Sequence, residues 1–325
     1  MVVALLFFWP EAKKLLQSSI PFTYRISNTE YPSLFIIIAK NFAGVLKQNL
    51  HTHTHYCDGS SAPEEYVKAA IRKGFRSLGF SGHAPVPFDN NFAIRDIHSL
   101  KDYVREIREL SEKYKKVIKI FLALEADYIP GITLNFQRFV DDFGLDYIIG
   151  SVHLVSHDRR DLWFIDGPDR SVWEHGLATY FDGDIKKAVS RYYHQINDMI
   201  ETQKPDVIGH LDKIKMHNRG VHFSEEEPWY RNLVMETLSV AKQNDSIVEV
   251  NTRGIYKKRS DSLFPGEEIL KVMKKMNIPV CINADAHRPE EVHAGLDKAA
   301  KALIKIGYRD VCVFTDKGWD TESLD

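Results

Sequence analysis

Cysteine is scarce in this 325-residue chain: Cys57, Cys281 and Cys312 stand far apart and form no C-x-x-C pair. That spacing excludes both a zinc knuckle and a disulfide scaffold, and it makes a reducing cytoplasm the simplest compartment. A surplus of one charge is missing too. Lys and Arg number 43 against 45 Asp and Glu, a formal net charge of -2, whereas a nucleic-acid binder needs an excess of cations on one face. No apolar run is long enough to cross a bilayer. Residues 1–9 and 34–39 are apolar but short, and the first of these runs lacks the basic n-region and cleavage site of a signal peptide before it meets Pro10 and charged residues. Neither nucleic acid nor membrane is therefore expected as a partner. Low-complexity segments, clear internal repeats and Ser/Gly-rich linkers are absent as well, so nothing divides the body of the chain.

What is present is 44% hydrophobic and 27% charged residues, enough apolar material for two ordinary domains or one barrel-sized domain. Residues 1–44 read as an appendage: an upstream extension set by the choice of start codon, with a natural start near Val45, or else a peripheral helix or anchor. Mass spectrometry of the natively expressed protein separates the two, since an intact N-terminus at Met1 contradicts the first. One domain is expected over 45–325, because strand and helix patterns alternate there. Strands are predicted over 45–50, 77–81, 117–124, 147–151, 206–209, 246–251 and 279–283. Helices are predicted over 63–73, 97–114, 134–141, 185–203, 229–243 and 266–276, with a last helix and strand ending near Phe314. Repeated β-α units imply parallel strands with helices outside, and seven or eight of them suggest a barrel. The three longest loops, 84–96, 154–183 and 252–265, all follow strands and would rim the C-terminal face where barrel active sites are built.

The densest chemistry lies in His51-Thr52-His53-Thr54-His55-Tyr56-Cys57-Asp58-Gly59. Side chains at i and i+2 of a strand share a face, so His51 and His53 can converge on one ion as the first strand ends. Further ligand-type residues follow the other strands: His83 in Gly-His-Ala-Pro, Glu125 in Leu-Glu-Ala-Asp, His153 in Gly-Ser-Val-His, His210 in Gly-His-Leu-Asp, and Asp285 with His287 in Asp-Ala-His-Arg-Pro. A lone His at a strand end is more often a hydrogen-bonded structural residue. A whole set delivered to one face of a closed sheet is not explained that way.

These motifs, in this order, resemble those of the PHP (polymerase and histidinol phosphatase) metallohydrolase superfamily, and within it the monofunctional histidinol-phosphate phosphatases. The resemblance covers residue 45 to the C-terminus. It implies a distorted (β/α)7 barrel, an α/β fold of the PHP type, with two or three divalent ions. It also implies their ligands: His51, His53, Glu125 and Asp285 for one ion; Glu125 as a bridge with His153 and His210 for a second; Asp58, His83 and His287 for a third. Many family members carry His where this chain has Asp58, so either His55 or Asp58 fills that place. Mixed imidazole and carboxylate ligands suit Zn, Mn or Fe.

The expected reaction is hydrolysis of L-histidinol phosphate, in histidine biosynthesis, by a water that bridges two ions and acts as hydroxide. Cationic side chains should complete the phosphate cup. Arg253, directly after a strand, is the first candidate; Arg160 and Lys213 are others, each weighed against a solvated loop charge. For the ammonium and imidazole of the substrate, Tyr256, Trp163, Asp166 and Asp127 are available on rim loops, with packing as the plainer role for Trp163 and Tyr256. Asp212 or a metal-bound water would protonate the leaving alkoxide. Two rivals stand beside this reading. One is a barrel acting on another ester, such as a nucleotide or a phosphotyrosyl protein. The other is a regulatory domain with structural ions, although such sites tend to be closed and rich in Cys.

Overall fold

The computed structural model describes residues 47–157 and 161–324; the extension expected at 1–44 and Arg160 lie outside the described residues. Seven parallel strands form the central sheet: β1 (Gln48–Asn49), β2 (Ser77–His83), β3 (Lys119–Asp127), β4 (Tyr147–Ser151), β7 (Val207–Ile208), β8 (Ile247–Asn251) and β9 (Val280–Asn283), hydrogen-bonded in that order. Helices occupy the crossovers: α1 (Pro63–Arg72), α2 (Ile97–Tyr114), α3 (Phe136–Phe143), α5 (Ile185–Gln203), α6 (Pro228–Gln243) and α8 (Glu267–Met276). The sheet curls until its first and last strands meet. There the His53 amide donates to the Ala286 carbonyl at 2.8 Å and the Ala286 amide to the His51 carbonyl at 3.0 Å. The Asn283 and Asn49 side-chain oxygens accept from the amides of Leu50 and Ala284, both at 2.8 Å. This is the distorted (β/α)7 barrel expected from the motifs, and its closing seam carries His51 and His53 to Asp285 and His287.

Strand periodicity decides what fills the barrel. The inward set runs apolar at each strand's start and polar at its end: Phe121, Ala123, Glu125, Asp127 on β3; Tyr147, Ile149, Ser151 on β4; Ile247, Glu249, Asn251 on β8. The alternate residues, such as Leu122, Leu124, Ile148, Val248 and Val250, join the core beneath the helices. Tyr147 crosses the interior and donates its hydroxyl to the Leu50 carbonyl. It passes where a Cβ on Gly79 would lie 1.9 Å from that hydroxyl oxygen, so only glycine fits at 79. The lower half of the barrel is thus a packed core and the upper half a polar cup.

Two expectations are corrected. The strand ending near Phe314 is not an eighth barrel stave. After α9 (Leu296–Ile306), β10 (Asp310–Thr315) turns back onto β11 (Gly318–Ser323) as an antiparallel hairpin. Gln48 holds it by paired bonds of 2.8 Å to the Phe314 backbone, and Phe314 and Trp319 pack on Tyr147 below the apolar floor. Segment 154–183 is not one long loop either. It contains the hairpin β5 (Leu154–Ser156) and β6 (Leu162–Phe164), then α4 (Arg170–Phe181) capped by Asp169. Within 252–265 a single turn, α7 (Arg253–Tyr256), follows β8. Among the described residues no helix is long and apolar enough to cross a membrane.

Candidate metal centre

Glu125, at the end of β3 and 1% exposed, is the hub of the polar cup. Its Oε2 lies 3.1 Å from His51 Nε2, 3.4 Å from His53 Nε2 and 3.3 Å from His83 Nδ1. Its Oε1 lies 2.9 Å from His210 Nε2 and 3.5 Å from His153 Nε2, and accepts from Ser151 Oγ at 2.6 Å. Asp285 Oδ1 is 3.4 Å from His53 Nε2 and 3.9 Å from His51 Nε2. Its backbone is left-handed, φ 53°, a conformation Asp tolerates better than most residues. Asp58 joins from the first loop, with Oδ2 3.0 Å from His287 Nε2 and Oδ1 3.4 Å from His53 Nδ1. His55 is exposed and lies against Tyr56, so of the two candidates it is Asp58 that reaches the cluster.

Do these residues fit divalent ions? Two ligands of one tetrahedral ion with bonds near 2.0–2.1 Å sit about 3.3 Å apart, the spacing found around Glu125. Buried His51 Nε2, His53 Nε2, His83 Nδ1 and Asp285 Oδ1 have no hydrogen-bond partner. Such atoms are costly unless something else satisfies them, and all four face the hub or its neighbours. The tautomers fit as well. His51 Nδ1 lies 2.6 Å from Glu249 Oε1, and His153 Nδ1 lies 3.0 Å from Asp127 Oδ1. In each pair a carboxylate behind the ring turns Nε2 toward the cup, as metal-binding imidazoles require. Burial disfavours every charge here, yet the facing imidazoles hold the carboxyls of Glu125 and Asp285 well below their ordinary range. Burial with a neighbouring His287 takes His53 down to about 4, and burial also lowers His83 and His210. For His153 the carboxylates of Asp127 and Glu125 outweigh burial and raise it to about 9. For His51 the carboxylates of Glu249, Glu125 and Asp285 likewise outweigh burial, so a divalent ion binding here would displace protons from His51 and His153 while finding the carboxylates already anionic.

The sequence matches the PHP domain over residues 49–253. The chain belongs to the PHP domain family. This PHP chain is 29% identical over 260 residues to the histidinol-phosphatase of Bacillus subtilis, covering 76% of the chain and 95% of that protein. It is 27% identical over 264 residues to a Deinococcus radiodurans protein named as a probable histidinol-phosphatase, covering 80% and 94%. A histidinol phosphate phosphatase from Lactococcus lactis, solved with Zn, L-histidinol and phosphate, shares the fold at TM-score 0.62 and 22% identity, over 84% of this chain and 98% of that one. With histidinol-phosphatases as its relatives, the chain is an enzyme of the PHP family.

Around this PHP cluster the other sequence-derived candidates separate. Lys213 is buried, with Nζ 2.9 Å from Asp166 Oδ1 and 3.9 Å from Asp285 Oδ2. Burial pushes the Asp166 carboxyl up, but Lys213, His153 and His210 outweigh it and bring it to about 2. Arg253 Nη1 donates to the Asp285 carbonyl at 2.8 Å and lies 2.7 Å from His287 Nδ1; the Tyr256 hydroxyl donates to the same carbonyl at 3.0 Å. Asp127 stands behind His153 rather than in a substrate pocket. Asp212 is fully buried, with Oδ2 2.6 Å from Lys215 Nζ and accepting from the Gly266 amide at 2.9 Å, and burial pushes its carboxyl up despite the Lys215 ammonium. Trp163 is corrected. It is 1% exposed, packed on Trp173 and Phe181, with Nε1 donating to the Trp173 carbonyl at 2.9 Å. It lies so close to α4 that a Cβ on Gly176 would come within 2.1 Å of its ring. Trp163→Ala is accordingly expected to cost about 3–5 kcal/mol of stability, measured by denaturant unfolding, while KM of the residual folded enzyme stays unchanged.

Sequence reasoning missed Glu249. It is fully buried on β8, reaches His51, and accepts from the His210 amide at 3.0 Å and from the side-chain amides of Asn251 and Asn283, both at 3.0 Å. A signal was there: in Ile-Val-Glu-Val-Asn the Glu takes the inward position of a buried strand, where a carboxylate survives only with strong partners.

Proposed function

We propose that this PHP enzyme is a cytoplasmic, metal-dependent phosphomonoesterase of histidine biosynthesis that hydrolyses L-histidinol phosphate to L-histidinol and phosphate, with residues 45–325 carrying the activity. The observation behind it is the set of buried imidazole nitrogens that make no hydrogen bond and crowd on one oxygen of Glu125; the names of the relatives supply the substrate. Two or three ions, Zn, Mn or Fe, would be held: one by His51, His53, Glu125 and Asp285, a second by Glu125, His153 and His210, a third by Asp58, His83 and His287. His53 lies near enough to the third group to contribute there.

Bound there, divalent ions would lower the pKa of a water and neutralise phosphoryl oxygens. The chain's own residues do the rest. Lys213, steadied by Asp166, supplies a buried positive charge beside Asp285 for the phosphoryl group. Arg253 and Tyr256 fix the Asp285 carbonyl and with it the carboxylate that turns into the cup. Stripping the ions with a chelator should abolish phosphate release, and adding Zn or Mn back should restore it; full activity after stripping contradicts the reading. Arg253→Ala should lower kcat/KM about a hundredfold and weaken ion binding through Asp285 and His287, so that excess metal recovers part of the rate. The same loss with full ion content by elemental analysis would instead place Arg253 on the phosphoryl group.

A further inference from the structure

Two phenylalanines from different rim segments meet at the cup. Phe92, in the loop after β2, sets its ring edge-on to His83, with centroids 5.3 Å apart at 88°. Its other contact is Phe164, 5.9 Å away and nearly parallel at 17°. Both rings are half-buried. Strand alternation gives Phe164 its direction: Trp163 and Ile165 enter the core, so Leu162, Phe164 and Asp166 share the opposite face. Asp166 on that face stands 3.6 Å from His153 Nε2. The aromatic pair thus touches the cluster at His83 and lies on the same face as Asp166, which neighbours His153. If the pair served only to pin the loop to the hairpin, neither ring would need to lie against a cluster imidazole.

We propose that Phe92 and Phe164 form the aromatic wall of the leaving-group subsite and select phosphate esters whose alcohol carries an aromatic ring. The inference rests on the phosphatase reading above and deepens it. A ring stacked on this wall gains face contact, and a positively charged ring gains the ring quadrupole as well. A small aliphatic ester reaches the ions without touching the wall. The pair therefore acts on KM rather than on kcat.

The test compares L-histidinol phosphate with phosphoethanolamine, which keeps the ammonium but has no ring, in the full metal-loaded chain. Phe92→Leu and Phe164→Leu are expected to raise KM for the first about tenfold, to leave kcat within about twofold, and to leave KM for the second unchanged. Phe92→Tyr and Phe164→Tyr should restore the wild-type value. Competitive inhibition should follow: L-histidinol should lose its advantage over L-alaninol in the Leu variants. Parallel changes for both esters, or no rescue by Tyr, overturn the proposal. Should the wild type show no preference for L-histidinol phosphate, the substrate reading fails, and phenyl against methyl phosphate decides the wall. A ring preference that disappears in the Leu variants keeps the proposal, and equal rates in the wild type overturn it.

Discussion

Glu125→Gln is expected to lower kcat/KM for phosphate ester hydrolysis by about a thousandfold or more and to reduce bound metal, while the circular dichroism spectrum stays close to wild type and the two metal-stripped proteins unfold at similar midpoints. The reason is its place. One oxygen faces His51, His53 and His83 and the other faces His153 and His210, so the amide would present a neutral oxygen to one group and a donor to the other. Its backbone sits in β3 with both neighbouring strands paired, and the substitution keeps the shape, so the barrel has no cause to open. A variant with half the wild-type rate and full ion content would remove Glu125 from the bridging role.

Glu249→Gln should act more subtly and still strongly. Glu249 never reaches the mouth; it holds His51 by Nδ1 and the His210 backbone from below. With the carboxylate gone, His51 loses the partner that fixes its tautomer and presents Nε2 upward. Removing such an outer partner typically costs 10–100-fold in metal affinity or activity. The expected signature is an activity deficit that excess metal repairs, read as a shifted midpoint in a metal titration. A deficit that persists at saturating metal would place the effect on the reaction itself.

The elements most legible in the sequence were those whose local signals agree. α2 and α5 occupy the residues predicted, each opening on an aspartate, Asp96 or Asp184, whose side chain accepts from a first-turn amide. β4 is buried throughout, so its apolar run had no competing reading. Most of the candidate metal ligands were legible because they lie at or just beyond the C-terminal end of a strand, as His83 ends β2 and His210 follows β7. What escaped depends on tertiary partners. β5 and β6 are three residues each, too short to show a period. α4 carries the stripe Trp173, Leu177 and Phe181, but Gly176 interrupts it for the sake of the Trp163 ring, a relation visible only in three dimensions. β10 looks like any barrel strand; only its pairing with β11 and its seat beneath Tyr147 take it out of the barrel. Trp163 lies close in sequence to chemistry, and its packing on Trp173 and Phe181 shows only in three dimensions.

The most direct test is phosphate release by the Zn- or Mn-reconstituted and the chelated enzyme from four esters side by side: L-histidinol phosphate, p-nitrophenyl phosphate, a nucleoside monophosphate and a phosphotyrosyl peptide. L-histidinol phosphate is expected to lead by orders of magnitude in kcat/KM, and chelation to remove the activity. Equal or uniformly slow turnover of all four by the metal-loaded enzyme would contradict the substrate reading.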